Sequence, residues 1–187
     1  LPEGLERLIP LTRRGRIDWR SELRDCIGGY YISDFAIIPP SKKLLYSGIY
    51  LPGATSRHLE LAIAIDSSGS VDEDLLGQFI AEIESITKLF GSYTITLLVC
   101  DDRIRSIDKF MNGEALTYTL IGGGGTDFTP VFETVASWMH PPKVLLYFTD
   151  LDGKFPLIEP HYDTLWITPQ SLEVPFGRII AIKDENG

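Results

Sequence analysis

The chain has 187 residues, of which 44% are hydrophobic and 23% are charged, and this composition is typical of one globular domain with a substantial core. Its formal net charge of −9 argues against a nucleic-acid partner and against binding to an anionic membrane surface.

Cysteine usage and hydropathy narrow the class of protein further. The two cysteines, Cys26 and Cys100, do not form a C-x-x-C pair, so we expect reduced thiols and a cytoplasmic protein. No apolar stretch approaches the length of a membrane span, and no signal peptide is visible. The sequence begins without methionine, and we expect it to be a domain of a longer protein.

Residues 1–57 are predicted to form an N-terminal extension that packs on a main domain of residues 58–187. Asp18 is a candidate N-cap for a short helix that ends at Gly28-Gly29. The apolar face of this helix contains Trp19, Leu23, Cys26 and Ile27. Two β-rich segments follow, residues 30–38 and 44–51.

The main domain opens with an apolar run over residues 59–65, which predicts a buried strand of the parallel type. The run leads into Asp66-Ser67-Ser68-Gly69-Ser70 and then into a helix predicted over residues 71–90. Ser70 and Glu73 fit a capping box at the start of this helix, and Gly91 fits a C-cap glycine.

The remaining elements continue the alternation of strand and helix. Strands are predicted over residues 93–100, 143–149, 164–168 and 178–182, with an antiparallel edge strand over residues 104–110. A glycine run at 122–125 leads to Thr126-Asp127 and a helix whose buried side contains Val131, Phe132, Val135, Trp138 and Met139. The pattern predicts an α/β fold, with an open, mostly parallel sheet, one antiparallel edge strand, and helices on both faces.

Three separate loops carry oxygen-bearing side chains at or near the carboxyl ends of predicted strands. They contain Asp66, Ser68 and Ser70 in the first loop, Thr126 in the second, and Asp150 in the third. Because these strand ends meet at one edge of an open parallel sheet, we expect the loops to converge. A set of oxygen donors without His or Cys favours Mg²⁺, Mn²⁺ or Ca²⁺.

These motifs resemble the metal-ion-dependent adhesion site of von Willebrand factor A domains, the family that includes integrin I domains. The resemblance covers roughly residues 58–183. It implies that Ser68, Ser70 and Thr126 coordinate a divalent cation directly or nearly so, and that Asp66 and Asp150 hold it largely through water. It also implies that an Asp or Glu of a protein partner completes the coordination, and that this chain carries no catalysis.

Upstream residues resemble one bacterial branch of that family. The similarity is carried by Asp18-Trp19-Arg20, Leu23 and residues 48–52. In that branch the A-like domain forms the C-terminal half of a predicted metallopeptidase, often associated with MoxR-type AAA+ ATPases. The resemblance therefore implies a MoxR-type ATPase or an upstream domain of the same chain as the partner, and an H-E-x-x-H motif in that upstream domain.

Simpler interpretations of the loops remain open. Ser, Gly and Asp are common in any strand-to-helix turn, Thr126 could cap the helix that follows, and Asp150 could have a purely structural role. The fold could thus be a metal-free structural domain.

An enzyme is a further alternative. The strand that ends in Asp150-x-Asp152-Gly153 also resembles the first motif of haloacid dehalogenase-type phosphatases, with Asp150 as nucleophile and Asp152 as general acid. Only 34 residues follow Gly153, however, which leaves little room for the downstream groups of that family. No H-E-x-x-H motif and no phosphate-binding G-K-[ST] motif occurs.

Overall fold

The structure, a computed structural model, describes residues 18–33, 58–122, 124–170 and 172–182. Within these ranges it contains three helices and six strands. In chain order they are α1 (Trp19–Ser33), β1 (Leu59–Asp66), α2 (Glu73–Thr87), β2 (Tyr93–Cys100), β3 (Ile104–Met111), α3 (Thr129–Ala136), β4 (Val144–Phe148), β5 (Asp163–Thr168) and β6 (Arg178–Ala181). None of these helices is long and apolar enough to cross a membrane.

The six strands form one sheet in the order β3-β2-β1-β4-β5-β6. Strand β3 pairs antiparallel with β2 at one edge, and all other neighbours are parallel. The predicted fold class is therefore confirmed. The chain leaves β1 toward β2 on one side and later returns to β4 on the other side, so the carboxyl ends of β1 and β4 flank a topological switch point.

Strand β1 is central and is covered on both faces. Alternate side chains point to opposite faces of a strand, and the two sets here belong to different hydrophobic clusters. Leu61, Ile63 and Ile65 pack with apolar residues of α1 and α2, whereas Ala62 and Ala64 pack in the cluster that contains α3. Helices thus cover both faces, as predicted.

Helix α1 is longer than predicted. Asp18 Oδ1 accepts a hydrogen bond from Arg20 N at 3.4 Å, which agrees with the predicted N-cap. The prediction that the helix ends at Gly28-Gly29 is wrong, because the helix continues to Ser33. Glycine is only a weak helix breaker, and the Tyr30 hydroxyl donates to Asp163 Oδ2 at 2.7 Å. Residues 30–33 are thus not part of a β-rich segment, and the rest of both predicted segments lies outside the described residues.

The cap of α2 also differs from the prediction. The N-cap is Asp72, whose carboxylate accepts hydrogen bonds from Asp74 N at 2.9 Å and from Leu75 N at 3.1 Å. The capping box of Ser70 and Glu73 is wrong, and so is the C-cap at Gly91, since the helix ends at Thr87 with Lys88 as C-cap. As a result, the Ser70 hydroxyl is not used by the helix.

Helix α3 buries Val131, Phe132 and Val135 as predicted, but it ends at Ala136. Met139 lies beyond the helix and is 88% exposed, which corrects its predicted place in the core, and Trp138 is half-buried. The crossover from β4 to β5, residues 149–162, contains no helix. An apolar groove of about 1100 Å³ lies beside this crossover, between it and α3.

Candidate functional site

Asp66 is the last residue of β1 and is fully buried. Its carboxylate accepts hydrogen bonds from uncharged groups: Ser68 N to Oδ1 at 2.9 Å, Thr149 Oγ1 to Oδ2 at 2.7 Å, and Thr126 Oγ1 to Oδ1 at 3.5 Å. The three predicted loops therefore meet at one carboxylate, as the placement of their strands at one sheet edge requires.

The first loop brings two hydroxyls together. Ser68 Oγ and Ser70 Oγ are 3.2 Å apart, with Ser68 buried and Ser70 exposed. The loop is anchored by Ser67, whose backbone N–H donates to the Cys100 carbonyl at 2.7 Å and whose hydroxyl contacts the carbonyls of Cys100 and Ile121 at 3.1 Å. This anchoring leaves the Ser70 hydroxyl at the edge of a small cleft, with the Ser68 hydroxyl directly behind it.

The second loop is held from two sides. Asp127 N donates to the Asp101 carbonyl at 3.1 Å on the β2 side. On the β4 side, Lys154 N donates to the Thr126 carbonyl at 3.0 Å and Phe128 N donates to the Lys154 carbonyl at 2.9 Å. The close approach of this loop to the chain after β4 requires glycine at position 153. A Cβ there would lie 2.7 Å from Phe128 Cζ and 2.9 Å from Thr126 Cγ2.

The third loop places Asp150 beside the other two loops but not in hydrogen-bond contact with Asp66. Asp150 Oδ1 accepts from Asp152 N at 3.0 Å, and Asp152 is exposed. The next residue, Leu151, has φ of 68°, and its N–H donates to Thr149 Oγ1 at 3.1 Å. A non-glycine residue in the left-handed region is strained, and such strain is enriched at functional sites.

The electrostatics of the edge distinguish two buried carboxylates. Burial raises the pKa of Asp66, and the nearby charge of Asp150 adds to the effect. No Lys or Arg of the described residues lies within ion-pair distance of Asp66. Burial also opposes ionisation of Asp101, but the hydrogen bonds from Arg105, Asp102 and the Arg103 backbone N–H, together with the charge of Arg105, outweigh it and lower the pKa of Asp101 to about 2.

A small cleft of about 70 Å³ opens next to the candidate site. It is lined by Ser70, Val71, Asp72, Leu75, Phe148, Thr149, Asp150, Pro169 and Gln170. The larger groove beside the β4–β5 crossover contains none of the five predicted site residues. The small cleft, and not the large groove, therefore adjoins the predicted chemistry.

The donor set fits a hard divalent cation. Carboxylates of Asp66 and Asp150 and hydroxyls of Ser68, Ser70 and Thr126 are oxygen ligands of the kind that Mg²⁺ and Ca²⁺ prefer. Among the described residues, no three or more His, Cys, Asp or Glu side chains are grouped as a metal site. The candidate set contains only two such residues, Asp66 and Asp150, because its other three members are hydroxyl residues. Their role as ligands stays a prediction.

Two contributors to this arrangement are not among the predicted site residues. Thr149 donates to Asp66, and Asp101 fixes the turn to which the Thr126 loop is bonded. Thr149 directly precedes Asp150, so its place at a strand end was a usable signal. The Asp101–Arg105 pair gave no signal, since a charged turn next to an edge strand is ordinarily solvated.

Gly122 supports the first loop by close contact. A Cβ at this position would lie 2.2 Å from the Ser67 carbonyl oxygen and 2.9 Å from Ser67 Oγ. We expect Gly122→Ala to lower the free energy of unfolding by about 2 kcal/mol, because the Ser67 backbone must move. Urea unfolding measures the change. Gly125→Ala is the matched control, since its Cβ would meet nothing within 4 Å, and an equal loss in both variants would contradict the expectation.

Comparison with known proteins identifies the family. Residues 61–183 match the family of VWA-like domains (DUF2201). The chain is a VWA-like domain. A protein of Thermotoga maritima, described as uncharacterized, is 31% identical to this domain over 135 residues. That alignment covers 71% of the domain and 33% of the relative, so the chain spans about a third of the length of this relative.

A solved structure also aligns with the VWA-like domain. The crystal structure of the ArnB paralog VWA2 from Sulfolobus acidocaldarius gives a TM-score of 0.44 at 16% sequence identity. The alignment covers 58% of this chain and 34% of that chain.

Proposed function

We propose that this VWA-like domain is a protein-recognition module that binds a carboxylate of its partner through a divalent cation. Asp66, Ser68, Ser70, Thr126 and Asp150 would hold the cation, with Mg²⁺ as the first candidate and Mn²⁺ or Ca²⁺ as alternatives. VWA-like domains are commonly protein-interaction modules, and the family assignment supports this general role. We propose no catalytic step for this chain.

The observation that carries the proposal is the environment of Asp66. A buried carboxylate is costly unless it is paired with a positive charge or neutralised. Asp66 is fully buried, and among the described residues the groups that donate to it are neutral. Asp101, at the end of the neighbouring strand, has Arg105 as its cation. A divalent ion would supply for Asp66 the charge that the protein supplies for Asp101.

The hydroxyl ligands explain why such an ion would recognise a partner. Neutral oxygens from Ser68, Ser70 and Thr126 would add no negative charge to the cation, and Asp66 and Asp150 would hold it largely through water. The charge of the cation would then be only partly offset, and it would retain attraction for an external carboxylate. The adjoining cleft has room for only a few water molecules, about 70 Å³, and a carboxylate in such a partly dry site is held more strongly than in bulk water.

The partner itself is part of the proposal. We propose that it is a protein that presents an Asp or Glu, either a MoxR-type ATPase or another domain of the same polypeptide. The second possibility is supported by the Thermotoga relative, two thirds of which lies outside the alignment. Co-purification with each candidate, in Mg²⁺ and in EDTA, distinguishes the two.

Cation binding should raise thermal stability. A ligand that binds only the native state at 100 times its Kd adds about 2.7 kcal/mol, which corresponds to a Tm increase of about 5–10 °C for a chain of this size. Calorimetry in EDTA and in millimolar Mg²⁺ measures the increase, with NaCl at matched ionic strength as control. Equal Tm values with Mg²⁺, Mn²⁺ and Ca²⁺ would contradict the proposal and favour a metal-free structural domain.

The phosphatase alternative has a separate test. The recognition proposal implies no hydrolysis of phosphoesters above background. Turnover that requires Mg²⁺ and disappears in Asp150→Asn would favour the enzyme.

A further inference from the structure

The Thr126 loop depends on a turn that does not itself belong to the candidate site. Asp127 N is bonded to the carbonyl of Asp101 at 3.1 Å, and this is the contact between the loop and the β2 side of the sheet edge. Because Thr126 precedes Asp127, a shift of the Asp101 carbonyl would carry the Thr126 hydroxyl away from Asp66, from which it is separated by 3.5 Å.

Arg105 holds the turn at Asp101 in place. The Asp101 carboxylate is fully buried and accepts hydrogen bonds from Arg105 Nε at 2.8 Å and Arg105 Nη2 at 2.5 Å. Arg103 N adds a third bond to Oδ1 at 3.2 Å, and Asp101 N donates to the Arg103 carbonyl at 3.1 Å. The pairing of β2 with β3 shifts register at this point, between Val99 and Cys100.

The buried carboxylate makes the turn sensitive to Arg105. Without the guanidinium, Asp101 would be a buried charge with no cation, which is strongly unfavourable. The turn would relieve this cost by moving the carboxylate toward water, and the carbonyl bonded to Asp127 would move with it. Arg103 does not offer the same support, since its side chain is 68% exposed and pairs with Asp102 at 3.4 Å.

We propose that Arg105 is a positioning residue of the cation site, which sets cation affinity by holding the Asp101 turn and, through Asp127, the Thr126 hydroxyl. The inference rests on the proposed cation site. Arg105 would act without touching the ion, in the way that residues behind metal ligands orient the ligands in other metal sites. Removing such support typically weakens metal binding by about 10- to 100-fold.

The test compares Arg105→Gln with Arg103→Gln in the full chain. We expect Arg105→Gln to raise the Mg²⁺ Kd, measured by calorimetric titration, by about 10-fold or more. We also expect faster hydrogen exchange at the Asp127 amide. Arg103→Gln should stay close to wild type in both measurements, because it removes only an exposed ion pair. A merely structural role of Arg105 would lower Tm in EDTA and leave the Kd unchanged.

A second variant covers the case in which Arg105→Gln does not fold. The double variant Asp101→Asn/Arg105→Gln has no buried charge, and the amides can bond to each other, so we expect it to fold and to bind Mg²⁺ with a Kd less than about 10-fold above that of wild type. A wild-type Kd in Arg105→Gln, or a double variant that folds and binds Mg²⁺ about 10-fold or more weakly than wild type, would overturn the inference. If wild type itself binds no cation, the proposed function fails and the inference fails with it, which is a distinct result.

Discussion

Replacing Asp66 by asparagine is expected to stabilise the cation-free protein and to abolish its response to Mg²⁺. The neutral amide removes the cost of a buried charge, and Oδ1 can still accept from Ser68 N. The Thr149 hydroxyl can rotate to accept from the amide. Replacing an uncompensated buried charge by a neutral group is expected to raise the free energy of unfolding by about 1 kcal/mol or more. For a chain of this size this corresponds to a Tm increase of about 2–4 °C. Calorimetry of both proteins, in EDTA and in Mg²⁺, measures the two effects.

The stability difference between cation-free wild type and Asp66→Asn should depend on pH, because the pKa of Asp66 is raised in the folded protein. The folded protein binds a proton at higher pH than the unfolded chain does, so the stability of cation-free wild type falls as pH rises from about 4 through that pKa. The variant lacks this titration, and its advantage should therefore disappear as the pH is lowered toward about 4. A variant that is less stable than wild type in EDTA at neutral pH would contradict the argument.

The double variant Ser68→Ala/Ser70→Ala is expected to lose cation-dependent partner binding while it keeps its fold. Ser70 is exposed, and the bond from Ser68 to Asp66 that holds the loop uses the backbone N–H. We therefore expect a change in the free energy of unfolding, in EDTA, of no more than about 1 kcal/mol. Loss of two of the three proposed hydroxyl ligands should remove the expected Mg²⁺-induced rise in Tm and the expected capture of the partner.

Ser85→Ala is the matched control, because Ser85 is exposed on α2 and away from the site loops. On the partner side, changing the bridging Asp or Glu to its amide should reduce binding as much as EDTA does, with no further loss when both are combined. If partner capture survives both EDTA and the double serine variant, the cation is not the bridge.

The sheet and its carboxyl edge could be predicted because their signal is local and strong. The apolar run of residues 59–65 and its counterparts can be buried only in a sheet covered on both faces, and parallel strands place their ends at one edge. The convergence of Asp66, Ser68 and Thr126 followed from that geometry. Thr149 lay within the same pattern, but its bond to Asp66 depends on the pairing of β1 with β4.

The predictions that were wrong concern details that depend on competition between neighbouring groups. Asp72 caps α2 in place of Ser70, since both are acceptable caps and only the backbone path of the loop selects one. Helix α1 passes Gly28 and Gly29, and the tyrosines beyond them pack against the core and, through Tyr30, bond to Asp163, which lies far away in the sequence. The Asp101–Arg105 pair likewise depends on the register shift at the start of β3, which no local pattern encodes.

The bond between Thr149 and Asp66 joins positions 83 residues apart, and this separation has a kinetic consequence. The two residues meet only after β1 and β4 have paired across the intervening chain. Because closing such a long loop costs conformational entropy, we expect this contact to form late in folding. A cation held by these loops would then stabilise the transition state for folding only slightly. It would lengthen the lifetime of the folded domain by slowing unfolding, and it would leave the rate of folding nearly unchanged.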